Sequence, residues 1–91
     1  SQNQIKIKVL DEGLKPISRA LIVISINDKQ IAFGTTNEEG VFDKNLENGS
    51  YSVKASKLNF IAYTKNVLVE NSSEVILILE NEVNKSKSFQ G

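Results

Sequence analysis

The chain has 91 residues, with eleven basic and eleven acidic side chains, no cysteine and no histidine. That length makes one domain, near the lower end of those that fold without staples, and the missing cysteines remove a disulfide framework and any thiolate metal site. Without histidine there is no usual general base, common zinc ligand or pH switch, and balanced charge with no basic, aromatic-studded patch argues against a nucleic-acid partner.

Taken in order, residues 1–4 are a polar lead-in. Ile5-Lys6-Ile7-Lys8-Val9-Leu10 alternates, with Ile5, Ile7 and Val9 facing in, and the outward lysines suggest an edge strand. Asp11-Glu12-Gly13 opens a loop that runs to Arg19, and Pro16 bars a helix across it. Residues 20–26 are β-branched and apolar on both parities, which predicts a central strand. The apolar run from Ala20 to Ile24 is too short to span a bilayer. Asn27-Asp28-Lys29 turns the chain, and residues 30–36 form a partner strand with Ile31 and Phe33 on one parity.

Two glycine turns then bracket a short strand. Asn37-Glu38-Glu39-Gly40 reads as a type I turn with Gly40 left-handed, closing a hairpin with a bulge. Asn48-Gly49 reads as the type I′ turn of a second hairpin. Phe42 and Tyr51 follow these turns and each starts an every-second-residue series, so both are expected as core anchors. Lys44 interrupts the first series and is read as a strand-end lysine that reaches water. Residues 60–70 form a long strand, with Ile61, Tyr63, Val67 and Val69 inward. Residues 74–80 are apolar on both faces and read as the last buried strand, and residues 81–91 as a linker or disordered tail.

Seven strands, short turns and no helix-period segment predict an all-β, seven-stranded antiparallel β-sandwich. Its core should hold about fifteen apolar side chains, each contributing roughly 1.5–3 kcal/mol. Gly40, Phe42, Asn48, Gly49, Tyr51 and Phe60 are the residues expected to matter structurally.

The segments Ile7-Lys8-Val9-Leu10-Asp11, Thr36-Asn37-Glu38-Glu39-Gly40-Val41-Phe42, Gly49-Ser50-Tyr51 and Asn59-Phe60, in this order and ending in Glu74 to Glu80, resemble the carboxypeptidase regulatory-like domain. The resemblance covers residues 5–80 and implies a transthyretin-like (prealbumin-like) sandwich with an Ig-like Greek key. It also implies a non-catalytic accessory or interaction domain without a cofactor. The settings it implies are extracytoplasmic: the periplasmic N-terminal extension of a Bacteroidetes TonB-dependent outer-membrane receptor, or an accessory domain of a secreted metallocarboxypeptidase. The implied partner is another protein, or the remainder of a longer chain, without insertion into the membrane. The composition and the polar tail look more like the receptor extension. The chain departs from the family at Arg19 and Asn59, where glycine is common; asparagine tolerates the left-handed region, whereas Arg19 suggests a different loop shape.

A related sandwich, used in adhesin stalks, forms a lysine–asparagine isopeptide bond. Lys6 or Lys8 and Asn81 are nominal partners, but Ala55 stands where the proton-shuttling acid is needed. Asp11, Glu12, Glu38, Glu39, Asp43 and Glu47 lack the spacing of a calcium loop and read as solvated turn residues. Ser18, Ser25 and Ser56 have no histidine to activate them. Phe33, Tyr63 and Phe89 are the candidate exposed aromatics, with Tyr63 expected inward. A carbohydrate-binding platform would want coplanar tryptophans or tyrosines and the chain has no tryptophan, so a carbohydrate or peptide ligand stays open but unsupported, and no binding residues are assigned.

Overall fold

The computed structural model describes residues 2–71 and 73–82. Of the tail expected at residues 81–91, residues 83–91, including Phe89, lie outside these residues. The strands are β1 (Gln2–Asp11), β2 (Leu21–Ile26), β3 (Lys29–Thr35), β4 (Val41–Glu47), β5 (Gly49–Ser56), β6 (Tyr63–Val69) and β7 (Ser73–Leu79). They form a three-stranded sheet in the order β4-β1-β7 and a four-stranded sheet in the order β3-β2-β5-β6. Four of the five ladders are antiparallel, as expected, and β1 with β7 is parallel.

Alternation decides which side of each strand is buried. Ile5, Ile7 and Val9 point into the sandwich with Val75, Leu77 and Leu79 of β7, and face Ile22, Ile24, Val53 and Ala55 of the other sheet. Fifteen apolar residues are buried among those described, the core size that the periodicity implies.

Several expectations need correction. β1 is not an edge strand: β4 and β7 flank it on either side. Its lysines lie on the outer face of the sheet, where Lys6 sits between Asp43 and Glu74 and Lys8 between Val41 and Ile76. Lysine marked a wet face, and a central strand of a two-layer sandwich has one too. β7 is an edge strand instead; its inward residues are buried, whereas Ile76 and Ile78 are 47% and 45% exposed. Lys44 falls in the middle of β4, directly across from Ile5, and is exposed because β4 is itself an edge.

The Gly40 turn forms, but the type I′ turn expected at Asn48-Gly49 does not, since Asn48 has no positive φ and Gly49 is nearly extended at φ +157°, and neither segment closes a hairpin. β3 and β4 lie in different sheets, as do β4 and β5, so each segment carries the chain from one sheet to the other. Gly40 has φ +76° and donates its N–H to the Asn37 carbonyl at 2.9 Å. The Asn37 side chain accepts from the N–H groups of Glu39 and Val41, which fixes the crossing. The type I′ hairpin is instead at Asn27 and Asp28, whose φ values of 51° and 66° are both positive between the paired Ile26 and Lys29.

The long strand expected from Phe60 starts at Tyr63; Phe60 makes an isolated antiparallel bridge to Asn81. Tyr63 has the inward parity, across from the buried Ala55, yet is 45% exposed. Arg19 adopts φ +59°, the left-handed backbone glycine would supply, so the loop keeps the glycine-type shape despite the substitution.

Two predictions follow from this backbone. A Cβ added at Gly34 would overlap the Phe42 ring that lies over it, so Gly34→Ala should destabilise the domain by about 1–3 kcal/mol, read as a lower urea midpoint. Arg19→Gly relieves a left-handed residue worth roughly 1–2 kcal/mol but loosens the unfolded chain, so the midpoint should rise by about 0.5–1 kcal/mol. A fall would show that the Arg19 side chain itself stabilises the loop.

Candidate functional site

The residues singled out in the sequence fall into separate places. Gly40 is buried at the entrance to β4, where a Cβ would come within 2.7 Å of the Val9 carbonyl. Phe42 is half-buried against the core, packed on Gly34. Tyr51 is buried on β5, and its hydroxyl donates to the Glu47 carbonyl at 2.6 Å, across the Asn48-Gly49 crossing. Phe60 packs on the core from the connection before β6. Together they line the interior and two of the sheet crossings, and they form no cleft.

A second constellation has no signal in the alternation. Thr36 is the buried polar residue among those described. Its hydroxyl donates to the Ile17 carbonyl at 2.7 Å and accepts from the Ala20 N–H at 2.9 Å. Its backbone accepts from the Arg19 N–H and donates to the Ala20 carbonyl. Ile17 in turn donates to the Val9 carbonyl, and Val9 donates to the Gly40 carbonyl at 2.8 Å. The network ties β1, the loop before β2 and the end of β3 into one unit. Every group in it is committed to another protein group, so it offers no reactive atom.

The outer face of the three-stranded sheet carries an open groove of about 430 Å³. Leu10, Leu14, Pro16 and Val41 supply apolar walls, and Lys6, Lys8, Glu38, Glu39 and Glu74 supply charges of both signs. Leu14 is held at φ +65° by Asp11, whose side chain accepts from the N–H groups of Gly13 and Lys15. The candidate calcium oxygens do not gather: among the described residues no three acidic side chains form a metal-sized cluster. No helix among the described residues is long and apolar enough to cross a membrane.

The isopeptide geometry is also lacking. The inward positions of β1 are Ile5, Ile7 and Val9; Lys6 is exposed and Lys8 half-buried, both on the outer face. Ala55 is fully buried beside Ile22, and Asn81 lies across from Phe60 with its N–H on the Glu12 carboxylate.

A family model for the carboxypeptidase regulatory-like domain matches residues 4–80. The chain belongs to that family. No match is found among curated proteins. Solved structures with this fold include the Bacillus anthracis TIE protein, at 24% identity and TM-score 0.69, over 89% of this chain and 16% of that one. BcpA, the major pilin subunit of Bacillus cereus, aligns at 15% identity and TM-score 0.71, over 89% of this chain and 29% of that one. Klebsiella pneumoniae 5-hydroxyisourate hydrolase aligns at 14% identity and TM-score 0.69, over 87% and 90%. This regulatory-like domain therefore spans a small part of the first two proteins, and the likeness to all three is one of fold.

Two measurements test the site. Thr36→Val removes a hydroxyl and strands the Ala20 N–H and the Ile17 carbonyl, so it should cost about 1–3 kcal/mol, with Thr36→Ser retaining most of the stability. The intact mass should equal the sequence mass; a mass lower by one ammonia would reveal an isopeptide bond that this arrangement excludes.

Proposed function

We propose that this chain is a non-catalytic interaction domain of a bacterial cell-envelope protein, and that its parent is a TonB-dependent outer-membrane receptor in which it forms the periplasmic N-terminal extension. The family match over residues 4–80 carries the first half of that reading. Chemistry supports it. The chain has neither histidine nor cysteine, and the buried polar residue among those described is fully engaged in backbone hydrogen bonds. A hydrolase shares the fold, but nucleophilic or acid–base catalysis needs a poised group, and the groove on the three-stranded sheet presents lysine and glutamate side chains on an open surface.

The extracytoplasmic setting is supported by the family and by the surface proteins among its structural neighbours, a pilin subunit and a cohesin–X-dockerin complex. The lysine- and serine-bearing segment after residue 82 suits a linker to a further domain and favours the receptor over the peptidase alternative. A stalk module is the second reading, favoured by the pilin likeness and opposed by the missing isopeptide residues.

Sequencing the gene on both sides of this segment tests the proposal. A receptor requires a signal peptide upstream, then a plug domain and many roughly ten-residue alternating segments downstream. A zinc peptidase domain beside the segment, tandem copies of it, or a stop codon directly after it would overturn the receptor assignment.

A further inference from the structure

The two sheets are unequal, and the missing strand leaves a specific mark. On one side of the sandwich Phe42 of β4 closes over Gly34 of β3. On the other side, β6 pairs with β5 so that Tyr63 lies across from Ala55 and Lys65 across from Val53. Ala55 and Val53 are 0% and 1% exposed, yet Tyr63 is 45% exposed and Lys65 is exposed. Their parity is inward, and the three-stranded sheet has no fourth strand to lie over them. Among the described residues Lys65 has no carboxylate partner.

The edge where that strand would add is β7. Among the described residues β7 pairs with β1 alone. Just beyond it the chain already uses the open side: the Ile61 N–H donates to the Glu80 carbonyl and the Glu82 N–H to the Asn59 carbonyl, both at 2.9 Å. In an extended strand alternate residues direct their N–H and C=O the same way. Glu74, Ile76 and Ile78 therefore turn theirs to the same open side as Glu80 and Glu82.

The other edges are guarded. β4 places Lys44 on its inward face, β6 places Lys65 there, and β3 breaks register at a bulge across from Ile24 and Ser25. β7 has no lysine, proline or bulge, and runs apolar from Val75 to Leu79.

We propose that the open edge of β7 accepts an extended polypeptide segment of a protein partner, whose inward face carries a carboxylate between two apolar side chains. The carboxylate meets Lys65, the apolar pair covers Tyr63 and Val67, and the outward side chains lie along Ile76 and Ile78. A second copy of the chain fits poorly. Its β7 would bring Val75, Leu77 and Leu79 to the inner side, with no carboxylate for Lys65. Pairing the whole apolar run with itself would also set Glu74 against the other copy's Glu80. The inference rests on the interaction-module reading; its failure would move the binding surface elsewhere, whereas the flanking gene sequence alone decides the parent protein.

The test is amide hydrogen exchange by NMR on the full 91-residue chain, with the blocked peptide Thr-Leu-Val-Asp-Val-Leu-Thr as probe and the same peptide with lysine for aspartate as control. The aspartate peptide should slow exchange at the Ile76 and Ile78 amides. The lysine peptide, or Lys65→Glu with the aspartate peptide, should bind roughly tenfold more weakly. Equal binding of the two peptides, or no slowing at those amides with peptide in large excess, would overturn the proposal. So would slow exchange there before any peptide is added, which would mean that a second copy or the chain's own residues already hold the edge.

Discussion

The Thr36 hydroxyl is the point on which one end of the sandwich depends. The chain crosses between sheets twice near it, from β1 through the loop to β2 and from β3 to β4, whereas the crossings from β4 to β5 and from β6 to β7 lie at the other end, where Gly49 pairs with Val69. Crossings expose backbone groups that neither sheet can pair, and buried groups left unpaired are expensive. Thr36 resolves both of the crossings at its end together, taking the Ala20 N–H and the Ile17 carbonyl on one oxygen while its own backbone bonds Arg19 and Ala20. Ile17 and Gly40 then anchor to Val9. The inner faces of both sheets meet correctly only if these connections hold.

That constraint explains backbone conformations that would otherwise be costly. Leu14 and Arg19 are left-handed without being glycine. Each is held by bonds on both sides: Leu14 between the Asp11 carbonyl and the Asp11 side chain's bonds to Gly13 and Lys15, Arg19 between Ile17 and Ala20 through Thr36. A strained residue persists where its surroundings over-determine it. The loop end of the sandwich is thus rigid through hydrogen bonds, and the middle through apolar packing.

The apolar interior was legible in the sequence because period-two alternation is a direct reading of burial. Ile5, Ile7, Val9, Tyr51, Val53, Ala55 and Val69 all lie inward as their parity implies. Pairing was less legible, since it depends on contacts between segments far apart in the chain. Asn48-Gly49 has the composition of a hairpin turn, but Tyr51 ties back to Glu47 across it while the chain changes sheets. Asn27-Asp28 has weaker composition and makes the hairpin, because β2 and β3 are neighbours in one sheet. Lys6 and Lys8 marked an outer face, which alternation cannot tell from an edge. Tyr63 has inward parity, and its exposure follows from a strand count that no local pattern contains. Thr36 stood within the Thr-Asn-x-x-Gly-x-Phe segment that carries the family resemblance, and its hydroxyl's two partners lie 16 and 19 residues away.

The same unevenness links fold to function. A sandwich with four strands facing three must leave inward positions uncovered on one side, and a sequence can answer with small residues, with charge, or with a partner. On the β3 side this chain answers with Gly34 and the Phe42 ring over it. On the β6 side it places an aromatic ring and a lysine, and beside them keeps an edge strand free of guards. Charge on β6 discourages an uncharged strand from entering, while the bare edge of β7 offers hydrogen bonds to one that brings the opposite charge. Selectivity would then come from Lys65 and affinity from the β7 backbone, a division of labour that needs no catalytic group and leaves the Thr36 network untouched.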